Sequence, residues 1–208
     1  MSPAVALSDL SAVVLAAGLS RRAAPHNKLL FPFGGDTVVR ATVHAFCGAG
    51  LGEVLVVTGH QREPVEAALA GLPVRIVFAE DFAAGMGHSL AAGLRAVSSR
   101  ARGFVVSPGD LPHLSPGLIR QIAGCFLAGN ATRHVLPLAA GQRGHPVVLG
   151  PWLRSRLEAL QSDAGARRLL TDPAERARTD FFEVGDPAIC RDVDRADWEF
   201  RTFSRHTG

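Results

Sequence analysis

Lysine is almost missing from this chain of 208 residues, which carries nearly all of its positive charge on arginine. Of the 22 lysine and arginine residues, Lys28 is the one lysine. A lysine ammonium is a compact point charge on a flexible stem, whereas an arginine guanidinium is a rigid, forked donor. The two side chains are therefore not interchangeable at a site where the charge on a bound phosphate changes. Lys28 follows the first predicted strand and its glycine loop, which indicates a phosphate site. The alternative is a solvated loop lysine.

Cysteine is scarce as well. Cys47, Cys125 and Cys190 are odd in number and widely separated, which excludes a disulfide framework and a C-x-x-C metal site. A reducing, cytoplasmic environment is therefore expected, with each cysteine acting as a small buried hydrophobic residue.

Long apolar runs and long basic runs are also lacking. The N-terminal residues 1–10 have no cationic segment and too short an apolar run for a signal peptide, and no stretch reaches membrane-spanning length. With a net charge of +3, scattered arginines and no basic run longer than two residues, neither a membrane nor a nucleic acid is an expected partner. The length predicts one domain over residues 1–208. The glycine loop with Lys28 assigns a nucleotide-binding half to 1–110, which leaves 111–208 as the expected acceptor-binding half.

Apolar runs alternate with helical patterns through the first half. This rhythm predicts an α/β fold, with a doubly wound, mostly parallel sheet and helices on both faces. The predicted strands are residues 12–17, 54–58, 74–78 and 103–106, and the helices follow Asp36 or Thr37 up to Cys47 and cover 64–70, 88–97 and 115–127. Ligands of such sheets gather at the carboxyl ends of the strands. The loops at 18–28, 59–60, 79–89 and 107–110 are therefore expected to converge on one crevice.

The second half departs from this rhythm and predicts a small antiparallel extension on the substrate side. Short strands at 135–138 and 146–149 flank a loop that carries Arg143, Gly144 and His145. Short helices are predicted at 152–160 and 164–170, a surface segment at 171–179, and edge strands at 181–184 and 189–193. In the last strand, Asp192 and Asp194 are two residues apart and would share one face.

Carboxylates in these positions indicate a magnesium site. Asp110 ends a strand after Pro108-Gly109, and Asp192 and Asp194 add hard oxygen ligands. Alternatives stay open, since Asp110 could cap a turn and Asp192 could be a solvated charge on an edge strand. There is no Walker A loop, because Asn27 precedes Lys28, and the first loop lacks G-x-G-x-x-G, which disfavours hydride chemistry on a nicotinamide.

The stretch from Val14 to Arg22, with Asn27-Lys28-Leu29, resembles the signature loop of the molybdopterin nucleotidyltransferases. Paired alanines at Ala16-Ala17 resemble the cytidylyl branch of that family, because the guanylyl branch has a second glycine there. The chain departs from the family at Ala23-Ala24, where Met-Gly is usual. Further matches follow in the family's order: Val57-Thr58-Gly59-His60, residues 85–93, Gly109-Asp110-Leu111-Pro112, residues 143–147, residues 163–167 and Asp192-Val193-Asp194.

The resemblance implies an NTP-transferase, Rossmann-like fold and a transfer of CMP from CTP to molybdopterin, with release of pyrophosphate. It implies Mg2+ as cofactor and a molybdenum hydroxylase as client. The implied nucleotide-binding residues are Leu15, Ala16, Ala17, Gly18, Lys28, Thr58, Gly59, Ser89 and Asp110. The implied catalytic residues are Lys28, Arg22 and Asp110, and the implied metal ligands are Asp110, Asp192 and Asp194. The implied acceptor-binding residues are Arg143, Gly144, His145 and Arg167.

Several alternatives remain at this point. The histidine at position 145 could be a turn or core residue instead of a substrate contact. The same fold could use GTP, or an acceptor such as a sugar phosphate. The chain could also be a chaperone that binds the molybdenum cofactor and delivers it to a hydroxylase without nucleotide chemistry.

Overall fold

The computed structural model describes residues 5–20, 26–161 and 165–193 of the chain. The strands are β1 (Leu10–Ala16), β2 (Pro32–Phe33), β3 (Asp36–Thr37), β4 (Glu53–Thr58), β5 (Arg75–Phe78), β6 (Gly103–Pro108), β7 (His134–Ala139), β8 (Gln142–Arg143), β9 (Val147–Leu149) and β10 (Thr179–Glu183). The α-helices are α1 (Val38–Cys47), α2 (Arg62–Ala68), α3 (Met86–Ala96), α4 (Pro116–Ala128), α5 (Arg154–Glu158) and α6 (Pro173–Ala177).

Eight strands form one mixed sheet in the order β10-β7-β9-β6-β1-β4-β5, with β8 paired to β7. Strand β1 runs parallel to β4 and β6, β4 runs parallel to β5, and β7 runs parallel to β10. Strand β9 is antiparallel to both β6 and β7. The predicted fold class is therefore confirmed, including the antiparallel part in the second half.

Strand β1 separates two apolar cores because its side chains alternate between the faces of the sheet. Ala12, Val14 and Ala16 face a core that includes side chains of α1 and α4. Val13 and Ala17 face the other core, which includes side chains of α3 and α5. Helices therefore cover both faces, which leaves the ends of the strands as the open part of the sheet.

The starts of helices α1 and α4 follow ordinary capping chemistry, as the sequence predicts. The Thr37 hydroxyl accepts a hydrogen bond of 3.3 Å from the backbone N of Arg40. Before Pro116, which opens α4, the Ser115 hydroxyl accepts a bond of 3.1 Å from the N of Leu118. These caps satisfy backbone donors that the first helical turn leaves unpaired.

The prediction of a strand at 189–193 is wrong. Residues Pro187–Cys190 form a 3-10 helix, because the Asp186 carboxylate caps the N of Ala188 and Pro187 has the backbone geometry that suits a helix start. Residues 191–193 are irregular, so Asp192 does not lie on a strand. Asp194 itself lies outside the described residues.

Two other segments differ from prediction. The segment 171–179, expected to lie on the surface, contains α6 with its buried Glu175. The helix expected at 152–160 is a 3-10 turn, Pro151–Leu153, followed by the five-residue α5, and the part of 164–170 that the structure describes contains 3-10 turns. Across the described ranges, none of the helices combines the length and the apolar character that crossing a membrane requires.

Candidate functional site

Lys28 and Asp110 meet at the carboxyl ends of β1 and β6. Asp110 lies two residues beyond the end of β6, and the N of Gly109 donates to the Leu15 carbonyl at 2.8 Å, which holds this turn beside β1. The Lys28 Nζ lies 2.5 Å from Asp110 Oδ2. The ammonium predicted to bind phosphate and the carboxylate predicted to bind metal are thus ion-paired in the expected crevice.

Asn27 fixes the position of Lys28. Its Oδ1 accepts hydrogen bonds of 3.1 Å from the N of Leu29 and from the Ser20 hydroxyl, so it caps the 3-10 turn Lys28–Leu30 and joins the two ends of the loop. Ser20 has a left-handed backbone, with φ of 46°. Sequence reasoning did not assign Asn27 a role, although an asparagine before a helical turn is an ordinary capping signal. The predicted phosphate ligand Arg22 lies outside the described residues.

Asp192 reaches the same crevice from the far end of the chain. Its Oδ2 lies 4.0 Å from the Lys28 Nζ. The N of Val193 donates to the Asp110 carbonyl at 3.0 Å, and the Val193 side chain packs beside Phe31 and Val38. Residues 191–193 are therefore held in place by the backbone and the side chain of Val193. These contacts position Asp192 in the crevice although no strand forms there.

His145 lies between the antiparallel part of the sheet and Asp110. Its backbone N donates to the Ile189 carbonyl at 2.9 Å. Burial lowers the pKa of His145, and this outweighs the hydrogen bond to the backbone of Val106 and the negative charge of Asp110, which both raise it. The imidazole is consequently neutral at neutral pH.

Within the described ranges, three buried side-chain atoms have no hydrogen-bond partner: Asn27 Nδ2, Asp110 Oδ1 and His145 Nδ1. Asn27 is next to Lys28 in the chain, Asp110 is ion-paired to Lys28, and the His145 ring feels the charge of Asp110. Buried polar atoms are normally paired, so three unpaired ones in neighbouring residues indicate a place that a polar ligand completes.

The donor set fits a divalent cation. Asp110 and Asp192 both point carboxylate oxygens at the position of the Lys28 ammonium, and Asp110 Oδ1 is buried and unpaired. Magnesium and manganese take carboxylate oxygens, and magnesium completes its shell with substrate phosphates and water. No group of three or more His, Cys, Asp or Glu side chains arranged for a metal occurs in the described part of the chain, where Asp110 and Asp192 are the two carboxylates beside Lys28.

Most of the predicted nucleotide contacts lie at the same end of the sheet. Ala16 and Ala17 are buried at the end of β1, while Gly18 is exposed with open space around it. A Cβ on Gly59 would come within 2.9 Å of the Ala17 Cβ, so these loops touch. Ser89 is buried in the first turn of α3.

Thr58 is already engaged within the protein. Its side chain is completely buried and its hydroxyl donates to Glu66 Oε1 at 2.9 Å. The structure therefore gives this hydroxyl a bonding partner in α2. A contact of Thr58 with nucleotide stays a prediction.

The predicted acceptor residues are divided between the crevice and the surface. Gly144 and His145 lie at the crevice, and a Cβ on Gly144 would come within 2.6 Å of the Ile189 carbonyl oxygen. The Arg143 guanidinium instead lies over the ring of Phe181 on β10, 5.0 Å from its centre. Arg167 is exposed in the 3-10 turn Gly165–Arg167, next to Ala166, which packs against the core beneath α3.

Comparison with known proteins gives a consistent family. Residues 12–179 match the model of the MobA-like NTP transferase domain. Rv0371c of Mycobacterium tuberculosis H37Rv is 30% identical, with a TM-score of 0.78 and coverage of 94% of this chain and 97% of that chain. A second structure of Rv0371c, a complex with manganese, gives a TM-score of 0.74 and coverage of 94% and 98%.

Two curated relatives carry other names. Nicotine blue oxidoreductase of Paenarthrobacter nicotinovorans is 29% identical over 94% of this chain and 97% of its own length. Bifunctional protein GlmU of Kineococcus radiotolerans is 35% identical over 76% of this chain. That match spans only 33% of the length of the GlmU protein.

Proposed function

Because the chain belongs to the MobA-like NTP transferase family, whose fold and nucleotidyltransferase character it shares, we propose that it transfers CMP from CTP to the phosphate of molybdopterin. The observation that carries the proposal is the Lys28–Asp110 pair, which lies at the carboxyl ends of parallel strands with a second carboxylate, Asp192, beside it. CTP is favoured over GTP by the resemblance of Ala16-Ala17 to the cytidylyl branch.

The reaction joins two polyanions. An oxygen of the acceptor phosphate attacks the α-phosphorus of CTP, a new P–O bond forms, and the bond from the α-phosphorus to the pyrophosphate oxygen breaks. The acceptor phosphate is already ionised near neutral pH, so no general base is required. Catalysis then depends on positioning and on neutralising charge.

The described residues supply both needs. The Lys28 ammonium neutralises charge on the triphosphate and on the pyrophosphate that leaves. Asp110 and Asp192 would hold the divalent ion, which when bound acts as a Lewis acid on phosphate oxygens. The manganese complex of the mycobacterial relative supports such an ion. We assign Arg22 to the triphosphate by the family resemblance.

The acceptor side is proposed to lie around His145. Its ring is neutral and its buried Nδ1 is unpaired, so it offers one hydrogen bond to the acceptor and adds no charge. The close approach of Gly144 to Ile189 holds the turn that presents this ring. In the proposed complex, His145 therefore orients the acceptor and leaves the charge to Lys28 and the carboxylates.

Pyrophosphate release measured with each of the four nucleoside triphosphates, with molybdopterin and Mg2+ present, tests this function. We expect clear turnover with CTP, and none with CTP for Lys28→Ala at unchanged circular dichroism. A clear preference for GTP would overturn the assignment of CTP. Full activity of the Lys28→Ala protein would overturn the proposed site.

The match to nicotine blue oxidoreductase, which covers 94% of this chain and 97% of that protein, raises a second candidate, an oxidoreductase reaction on nicotine blue. The absence of G-x-G-x-x-G from the first loop and the Lys28–Asp110 pair both favour phosphate chemistry. Oxidation of NADH or NADPH by the protein in the presence of nicotine blue, without pyrophosphate release, would favour the redox candidate.

A further inference from the structure

The Lys28 ammonium lies between the two carboxylates that the proposed function assigns to the metal. Its Nζ is 2.5 Å from Asp110 Oδ2 and 4.0 Å from Asp192 Oδ2. A divalent ion bridging these same carboxylates would need the same gap. The structure of the protein alone thus has a cation of its own at the position where the family's metal is expected.

We propose, on the basis of the function above, that Lys28 is the resident counter-ion of this site and that its ammonium and a divalent ion exclude one another. With Lys28 in place the three side chains sum to a net charge of −1, and without it to −2. A divalent ion sharing a carboxylate with the ammonium is repelled by it at short range. The nucleotide-free protein therefore binds divalent ions weakly.

Binding of a nucleotide removes this competition between the Lys28 ammonium and the divalent ion. The triphosphate offers the ammonium a more highly charged partner than one carboxylate, and Lys28 has the flexible four-carbon stem that lets it change partners. Its side chain is 21% exposed, so it can leave Asp110 without unpacking the core. The metal site then becomes fully available at the moment when a triphosphate is present to complete the coordination.

In an alternative arrangement, the divalent ion binds the second carboxylate oxygen of Asp110. Asp110 Oδ1 is buried and unpaired, so an ion could bind it while Lys28 remains on Oδ2. In that arrangement the ammonium and the ion are bound together. Removing the ammonium would then leave the metal affinity almost unchanged.

Binding of Mn2+ to nucleotide-free protein, followed by the electron paramagnetic resonance of free Mn2+, separates the two arrangements. We expect Lys28→Met to bind Mn2+ at least tenfold more tightly than the wild-type protein. Lys28→Arg, which keeps the charge, should stay within about threefold of the wild type, and the double variant Lys28→Met/Asp110→Asn should lose the gain. Equal or weaker binding by Lys28→Met overturns the proposal.

A second measurement uses the wild-type chain. Because Lys28 is the single lysine, protein grown with 13C- and 15N-labelled lysine gives one Nζ signal. Saturating Mg2+ without nucleotide should move it to the position seen in Asp110→Asn, where the ammonium is released. A signal that keeps its metal-free position at saturation overturns the exclusion. Neither experiment involves turnover, so a failure of CMP transfer would be seen separately, in the pyrophosphate assay.

Discussion

The protein contains two buried polar clusters that differ in one respect. In the crevice, Asn27, Asp110 and His145 each leave a buried atom unpaired. In the second cluster, defined here as the Glu175 network of His134, Trp152, Arg156 and Glu175, hydrogen bonds engage both ring nitrogens of His134 and both carboxylate oxygens of Glu175. The difference teaches that a satisfied buried cluster holds the fold together, and an unsatisfied one marks where a ligand belongs.

The geometry of the Glu175 network is closed. His134 is fully buried, its Nδ1 accepts from the N of Gly150 at 3.0 Å, and its Nε2 lies 3.2 Å from Glu175 Oε2. Trp152 donates to the same carboxylate oxygen at 3.1 Å, and Arg156 donates to Oε1 at 2.8 Å. The network joins β7, α5 and α6 with the turn after β9.

The carboxylates of the two clusters also differ in how many donors stabilise their negative charge. Burial alone would raise the pKa of Glu175, but hydrogen bonds from Trp152 and His134 and the nearby Arg156 lower it, so the carboxylate is ionised. Burial lowers the pKa of His134, whose Nδ1 must keep its lone pair to accept from Gly150. One anion thus meets three donors, whereas Asp110 has its ion pair with Lys28 on one oxygen and an unpaired second oxygen.

The largest expected effect is on the crevice. Asp110→Asn keeps the shape of the side chain and removes its charge, so turnover should fall about a thousandfold through the loss of metal and phosphate stabilisation. The free energy of unfolding should change by about 1 kcal/mol or less, because the pair with Lys28 is partly exposed to solvent. Pyrophosphate release and urea unfolding measure the two quantities.

The control for this variant is Asp180→Asn, which breaks an exposed ion pair with Arg133 on the edge strand. It should leave both quantities unchanged. If Asp110→Asn instead unfolds the protein and Asp180→Asn does not, the crevice is as structural as the Glu175 network and the contrast is lost.

The next effect is on stability. Glu175→Ala removes the acceptor for three buried or partly buried donors, so the free energy of unfolding should fall by about 3–5 kcal/mol. Turnover per folded molecule should be retained. Asp180→Ala, at an exposed ion pair, should cost no more than about 1 kcal/mol. A Glu175→Ala protein as stable as Asp180→Ala would show that the satisfied network contributes little.

Sequence reasoning reached the crevice because its signals are local. The apolar run of β1 ends in a glycine, and Asp110 follows the run of β6, so strand ends could be located from hydrophobic pattern and turn residues. Parallel pairing then brings such ends to one edge of the sheet. The meeting of Lys28 and Asp110 follows from these general rules.

The Glu175 network was missed because it has no local signal. His134 and Glu175 are 41 positions apart, and Glu175 lies in a charged segment that predicts a surface. Its burial becomes evident only in the folded structure, where Glu175 of α6 contacts His134 of β7 and Arg156 of α5. Asp192 was expected in the site, but the proposed strand was wrong, because Asp186 and Pro187 start a helical turn and the backbone of Val193 docks on Asp110.

A smaller effect is expected at the boundary between the crevice and the sheet. Gly144→Ala places a methyl group 2.6 Å from the Ile189 carbonyl oxygen, which is fixed backbone. The 3-10 helix at 187–190 must then move, so the KM for the acceptor should rise about tenfold and stability should fall by about 1–3 kcal/mol. Steady-state kinetics and urea unfolding measure both changes.

The matched control is Gly124→Ala in α4, where a Cβ meets open space. Alanine suits a helix interior better than glycine, so this variant should gain up to about 1 kcal/mol and keep its KM. An unchanged KM for Gly144→Ala would mean that the turn and the 187–190 helix do not position the acceptor.

The smallest effect is on the pH dependence of stability, and here the two clusters should behave alike. Burial lowers the pKa of both His134 and His145. The unfolded chain, with histidine pKa values near 6.5, then binds more protons than the folded protein once the pH falls below about 6.5. The free energy of unfolding should therefore fall as the solution is acidified through this range, by at most about 1.4 kcal/mol per pH unit for each histidine.

Urea unfolding between pH 5 and pH 8 tests this, with His134→Gln and His145→Gln each expected to show a shallower slope than the wild type below pH 6.5, and no change in slope above it. A slope that only His134→Gln reduces would mean that His145 takes up its proton in the folded state, because the unpaired Nδ1 beside Asp110 accepts it. In that case the hydrogen-bond partners of the ring nitrogens, and not burial alone, would determine the pKa values of these two histidines. Equal reductions would show that burial lowers both pKa values whether or not the ring nitrogens have partners.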